Sequence, residues 1–229
     1  MRRLAIPLPE TWRESGAGRI LAAAEISVMT ALILSYIWVW QDSFPGDFLL
    51  VAAAYFAIGV IGHLARGESL WQIGVRLDNW RPALRNASIA MVPLASVPLV
   101  AGGLLGSWHF PAWGDAALTL PASVAWGTAQ QYGLLCVLYR RLQEALDSPD
   151  GATAAAALLF ALFHLPNGLL MGVTLIAGVV ACMLYRREPN VPVIGAAHAV
   201  VSFILYYALP ESLTGGLRVG PGYFTGPAG

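Results

Sequence analysis

Four polar side chains stand where an apolar sequence has no routine use for them: Gln130 and Gln131 in "AQQYGLLCVLYRRL", His164 in "FALFHLPNG" and His198 in "GAAHAVVSF". An amide carries two donors and an acceptor, and each polar group left unpaired in apolar surroundings costs roughly 1–3 kcal/mol. Histidine can take or give a proton near neutral pH, and amide donors can polarise a carbonyl or hydroxyl beside it. Phe160 lies four residues before His164 and Ser202 four after His198, so each pair shares a helix face. An aromatic one turn from a histidine walls a pocket and holds the ring, and Ser202 is placed to share a ligand or a water with His198. Asn167 follows close behind His164. Two plainer uses stay open: glutamines that glue helices together, and histidines satisfied by a neighbouring carbonyl.

The elements that must position these groups are membrane helices. Hydrophobic residues make up 57% of the 229 and charged residues 11%, about half the share of a soluble domain, and mean hydropathy is +0.64. The expected fold is an all-α polytopic membrane protein, one membrane domain over 1–229. Apolar segments read at 20–40, 48–65, 87–107, 119–139, 152–165, 168–185 and 191–209, about seven transmembrane helices, the fifth of them short. All thirteen basic residues are arginine. Arg2, Arg3, Arg13 and Arg19 precede the first segment, Arg66, Arg76, Arg81 and Arg85 follow the second, and Arg140–Arg141 and Arg186–Arg187 close the fourth and sixth. Twelve of thirteen thus fall on one side, which the positive-inside rule makes cytoplasmic, with the N-terminus inside and the C-terminus outside. The basic N-terminal stretch lacks an apolar h-region and reads as no secretory signal. Zero net charge argues neither way on nucleic acid, and no nucleic-acid partner is expected.

Counted at about 1.5 Å per residue from the expected cytoplasmic helix ends at Arg140, Ala152 and Val191, Gln131, His164 and His198 lie roughly 13, 18 and 10 Å deep. That shared middle depth is what one buried polar cluster requires. Glu25 lies six residues past Arg19 and reads as snorkelling to the interface, His63 and His109 as ordinary interface residues, and Cys136 and Cys182 as small packing residues. The stretch 68–87, with Trp71 and Trp80 among arginines, reads as an interfacial connector, and the Gly- and Pro-rich tail 210–229 as irregular, either mobile or plugging a cavity mouth. No metal is expected: two neutral histidines suit zinc, but a site wants a third Cys, His or carboxylate, and glutamine substitutes poorly.

In order, spacing and depth, these residues over 68–207 resemble the CPBP family of intramembrane endopeptidases, also called Abi or CAAX-protease-like. The family pattern is Glu-Glu-x-x-x-Arg on one helix, Phe-x-x-x-His on the next and a later His-x-x-x-Asn. Gln130, Gln131 and Leu135 stand at the first element, Phe160 and His164 match the second, and His198 with Ser202 stand at the third. The resemblance implies that the first position is the catalytic base, and glutamine has no useful basicity there. It also implies that position 135 should brace the acids with an arginine. With the acids gone, that cation would stand unpaired in the membrane, so the replacements go together.

Three functions follow as expectations. One is a CPBP-type intramembrane endopeptidase-like protein working without the glutamate base, with Gln130, Gln131, His164 and His198 catalytic and Phe160, Asn167 and Ser202 shaping the pocket. A second is a membrane-embedded enzyme binding a lipid or an isoprenoid and using histidine acid/base chemistry. The third is a non-catalytic membrane scaffold. The partners implied are the bilayer and a hydrophobic, prenylated or isoprenoid substrate, with no cofactor, in the cell membrane. Reporter fusions should place residue 45 and the C-terminus outside and residue 78 and the N-terminus inside; a cytoplasmic C-terminus would remove one span and undo the depth comparison.

Overall fold

The computed structural model describes residues 16–225, and every regular element among them is helical. Helix α1 (Gly16–Ser35) runs on through a wider π-helical turn to Trp40. It is followed by α2 (Asp47–Ala65), α3 (Trp80–Leu105) and α4 (Trp113–Gln131). A π-helical stretch, Tyr132–Tyr139, joins α4 to α5 (Arg140–Leu146) as one rod. Then come α6 (Pro149–Leu162), α7 (Gly168–Arg187), α8 (Val191–Ala208) and the single turn α9 (Glu211–Thr214). Five of these, Gly16–Trp40, Asp47–Ala65, Trp80–Leu105, Gly168–Arg187 and Val191–Ala208, are long and apolar enough to cross a membrane. The fourth and fifth expected segments are the interrupted α4–α5 rod and the shorter α6. Arg2, Arg3 and Arg13, counted above for the inside, and the last residues of the tail lie outside the described residues.

Local sequence sets where the later helices begin. Ser148 accepts from the Gly151 amide at 3.0 Å with Pro149 just inside the helix, Asn167 accepts from Leu170 at 3.0 Å, and Asn190 from Val193 at 2.9 Å. Each cap satisfies one of the amides that a helix start leaves without an internal partner. The connector tucks beneath the α7–α8 turn rather than lying loose. The Ile73 carbonyl accepts from Tyr185 Oη at 2.8 Å and Cys136 Sγ at 3.0 Å, and the Gly74 carbonyl from the Val191 amide at 2.8 Å. Trp71 and Trp80 stay exposed.

The core is centred on the rod. Every residue from Gln131 to Leu142 is buried, with Met29, Ile73, Ala152, Phe160, Tyr185 and Ile194 packed around it. Arg140 and Arg141 belong to that buried run, so they do not reach water. Arg141 meets Glu25 at 2.9 Å, Glu68 at 2.6 Å and Glu144 at 3.4 Å; Arg140 pairs with Glu68; Arg66 meets Glu25 at 2.7 Å and Glu144 at 2.9 Å; and His63 Nδ1 lies 2.6 Å from Glu68. The side chains of Arg66, Arg141 and Glu144 are 1% exposed, and those of Arg140 and Glu68 3%. Glu25 therefore does not snorkel and His63 is no ordinary interface residue. Glu25 enters this cluster because Arg66 and Arg141 on neighbouring segments need an acid, and His63 enters it through Glu68.

Burial alone would raise the pKa of Glu68, but the hydrogen bond from His63 and the Arg140 and Arg141 guanidiniums outweigh it and hold the carboxyl well below the usual range. A depressed carboxyl contributes stability that is present above its ordinary pKa and is lost as pH falls toward the folded value. Glu68→Gln should lower the apparent unfolding temperature in detergent at pH 7, with the deficit shrinking as pH drops below about 4.5. Arg141→Met, which strands buried acids, should cost about 3–5 kcal/mol at pH 7; a deficit under 1 kcal/mol would remove the cluster from any structural role.

Candidate active site

Two glycines bring the polar residues together. A Cβ on Gly127 would stand 2.8 Å from the Gly195 carbonyl, and one on Gly195 only 2.5 Å from Thr128 Cα, so α4 and α8 touch backbone to backbone. Three residues beyond each glycine, Gln130 and His198 meet, with Gln130 Oε1 3.1 Å from His198 Nε2. As oriented, the imidazole donates to the amide oxygen, which leaves Nδ1 as its basic lone pair and the amide nitrogen as a donor. His164 sits in the turn that follows α6, its Nδ1 2.6 Å from the Phe160 carbonyl. That contact makes Nδ1 the donor and Nε2 the free base. The Phe160 ring lies 5.0 Å from the His164 ring and 6.0 Å from that of His198, in contact with both.

These groups line one cavity of about 480 Å³. Its walls are mostly aliphatic and aromatic, with Met29, Ile33 and Leu138 toward the arginine end of the bundle. Gln41, Ser123, Thr174 and Ser202 are further polar lining residues, and among the described residues no Asp, Glu or Arg lines it. Nor, among those residues, do three His, Cys, Asp or Glu side chains gather as a metal site. Of the sequence candidates, Gln130, Phe160, His164, His198 and Ser202 face this cavity. Gln131 does not: it is 2% exposed, turned into the core, and its Oε1 has no partner. Asn167 is 1% exposed and engaged elsewhere, capping α7 and donating to the Thr214 carbonyl at 2.7 Å. Leu135 is fully buried in the core around the rod.

Sequence reasoning missed Tyr55. It lines the cavity from α2 and donates from Oη to the Ala129 carbonyl at 2.8 Å, one residue before Gln130. A Cβ at Gly133 would collide with that hydroxyl, so Tyr55 and Gly133 fix the rod's position together. A tyrosine among alanines, with a glycine opposite on another helix, leaves no trace in one sequence. Phe48 and Trp126 were missed too; their rings, 5.5 Å apart, bridge α2 and α4 on the cavity's side, and both are exposed.

Residues 130–204, opening at Gln130 and closing just past Ser202, match the family model described as type II CAAX prenyl endopeptidase Rce1-like. No curated protein and no solved structure matches the chain.

The two glutamines should separate in a stability measurement. Gln131→Leu removes a buried unpaired oxygen and should leave the apparent unfolding temperature unchanged or higher. Gly133→Ala, which drives a methyl into the Tyr55 hydroxyl, should lower stability by about 1–3 kcal/mol. A neutral Gly133→Ala would show that Tyr55 does not hold the rod at Gln130.

Proposed function

We propose, for a chain whose residues 130–204 match the Rce1-like type II CAAX prenyl endopeptidase model, a membrane-embedded enzyme of CAAX-protease-like build that works through histidines in place of glutamates. The family suggests a CAAX-type intramembrane protease-like function, and the helices suit a multi-pass protein of the cell membrane. The single observation that carries the reading is the make-up of the cavity: two histidines and the amides of Gln130 and Gln41 set in an apolar chamber that no carboxylate among the described residues reaches. Such a chamber suits a long apolar chain, isoprenoid or lipid, whose polar end lies at Gln130.

The tautomers assign the roles. His164 Nε2 is the base, able to deprotonate water or a substrate hydroxyl, because its Nδ1 is tied to the Phe160 carbonyl. Gln130, with its oxygen held by His198, offers its amide nitrogen to a carbonyl or developing oxyanion. His198 positions that amide and offers Nδ1 on its other side. Phe160 packs its ring against both imidazoles and holds their orientation. Ser202 lies one turn beyond His198 on the same wall.

The test combines lipid mass spectrometry of the purified protein with turnover of a farnesylated peptide. The wild type should carry a prenyl or lipid chain, and His164→Ala should lower turnover about 10²–10⁴-fold while the fold survives. The triple change Gln130→Glu, Gln131→Glu, Leu135→Arg should outperform the double change that keeps Leu135, because two unbraced carboxylates in low dielectric hold a proton. Undiminished turnover in His164→Ala would sink the histidine mechanism. A wild type that carries no chain and turns nothing over would favour a non-catalytic scaffold.

A further inference from the structure

Helix α6 has fourteen residues, about 21 Å, and falls short of the roughly 30 Å of a bilayer's hydrocarbon core. The turn that carries His164 therefore ends at a depth where irregular backbone is tolerated only against protein. The C-terminal segment supplies that protein. Gly220 donates its amide to the Leu165 carbonyl at 2.7 Å, and Asn167 Nδ2 donates to the carbonyls of Thr214 at 2.7 Å and Arg218 at 3.3 Å. The far end of the segment is seated on α1. Gly220 has φ +59°, and a Cβ there would lie 2.6 Å from Ile37 Cγ2 and 2.7 Å from the Ile37 carbonyl.

Between these anchors the backbone is extended at Arg218 and Val219, so those two side chains point to opposite sides. Arg218 turns outward and pairs with Glu211 at 2.7 Å. Leu217 and Val219 turn inward, pack against Leu170, Leu205 and Leu209, and line the cavity. The segment thus spans from the start of α7 to the end of α1 across the end of the cavity remote from the arginine cluster.

We infer that residues 214–220 form the closed end of the cavity and that Leu217 and Val219 set the length of the apolar chain it accepts. The inference rests on the reading of the cavity as a chain-binding chamber. With the polar end of a ligand held at Gln130 and His198, the chain grows toward a wall fixed by hydrogen bonds at one side and by a glycine contact at the other. Such a wall does not yield to one more isoprene unit. Leu217→Ala with Val219→Ala removes five carbon atoms in all, the size of one such unit.

Geraniol, farnesol and geranylgeraniol, titrated into the purified full-length protein in detergent, are the probes. Wild type should show a break in affinity between two successive alcohols. The double alanine variant should move that break one unit longer, tightening the first excluded alcohol by at least about tenfold, and Leu217→Trp should move it one unit shorter. Thermal unfolding identifies a variant that has lost its fold, and Leu217→Cys provides a measurement that needs neither. Cys136 and Cys182 are 0% exposed, so a maleimide reports on the new thiol. Protection should begin at the longest alcohol that binds and be absent with the shortest. Wild-type binding with an unmoved break, or equal protection by all three alcohols, overturns the inference alone. Binding of none of them by wild type overturns the chain-binding reading and this inference with it.

Discussion

Two adjacent arginines on the buried stretch of the rod, Gln131–Leu142, set the terms for the rest of the molecule. An unpaired guanidinium cannot be accommodated there, so Arg140 and Arg141 can be buried only if acids come to them. The acids come from three places: Glu25 on α1, Glu68 on the connector and Glu144 one turn along the rod itself. Arg66 at the end of α2 then bridges two of those acids. Three arginines meet three glutamates in this cluster. The pairing fixes the height of α1 and α2 against the rod. Those two helices supply Met29, Ile33 and Tyr55, a large part of the cavity wall, so the charges at one end hold the chamber open in the middle.

The same rod carries two stations of opposite character. At the arginine end, carboxylates are numerous and neutralised. Ten residues back, at Gln130, the cavity has amide and imidazole groups and no carboxylate among the described residues. Neutral groups suit that place. An ionised acid facing an apolar chamber would need a cation beside it, and Leu135 provides none. His164 and His198 can be basic while uncharged, and each has one ring nitrogen tied by a neighbour, which defines the other.

The sequence made some of this legible and hid the rest, for physical reasons. Apolar length exposed the helices, and paired histidines and glutamine at common depth exposed the cavity's polar face, because polar groups in an apolar run have few uses. Spacing alone could not choose between Gln130 and Gln131, which point about 100° apart on a helix. The choice falls to the Gly127–Gly195 approach, a contact between segments 68 residues apart in the chain. Glu25 and His63 looked like interface residues because their distance from a helix end is a local property and their partners are not. Tail residues Leu217 and Val219 were hidden for the same reason. A Gly- and Pro-rich composition announces irregular backbone and leaves open where that backbone is fastened.

The π-helical stretch Tyr132–Tyr139 lies between Gln130 and Arg140 and turns more slowly per residue than the α-helix on either side. It therefore governs the angle between the two stations as well as their distance. In a regular α-helix of the same composition, arginines aimed at Glu25 and Glu68 would leave the amide of Gln130 rotated off His198. Those eight residues act as a phase coupling: they let one rigid rod satisfy two neighbourhoods whose required directions no single helical pitch can meet. Adding or deleting a residue between 132 and 139 would then be felt at both ends together, even though no side chain at either end had changed.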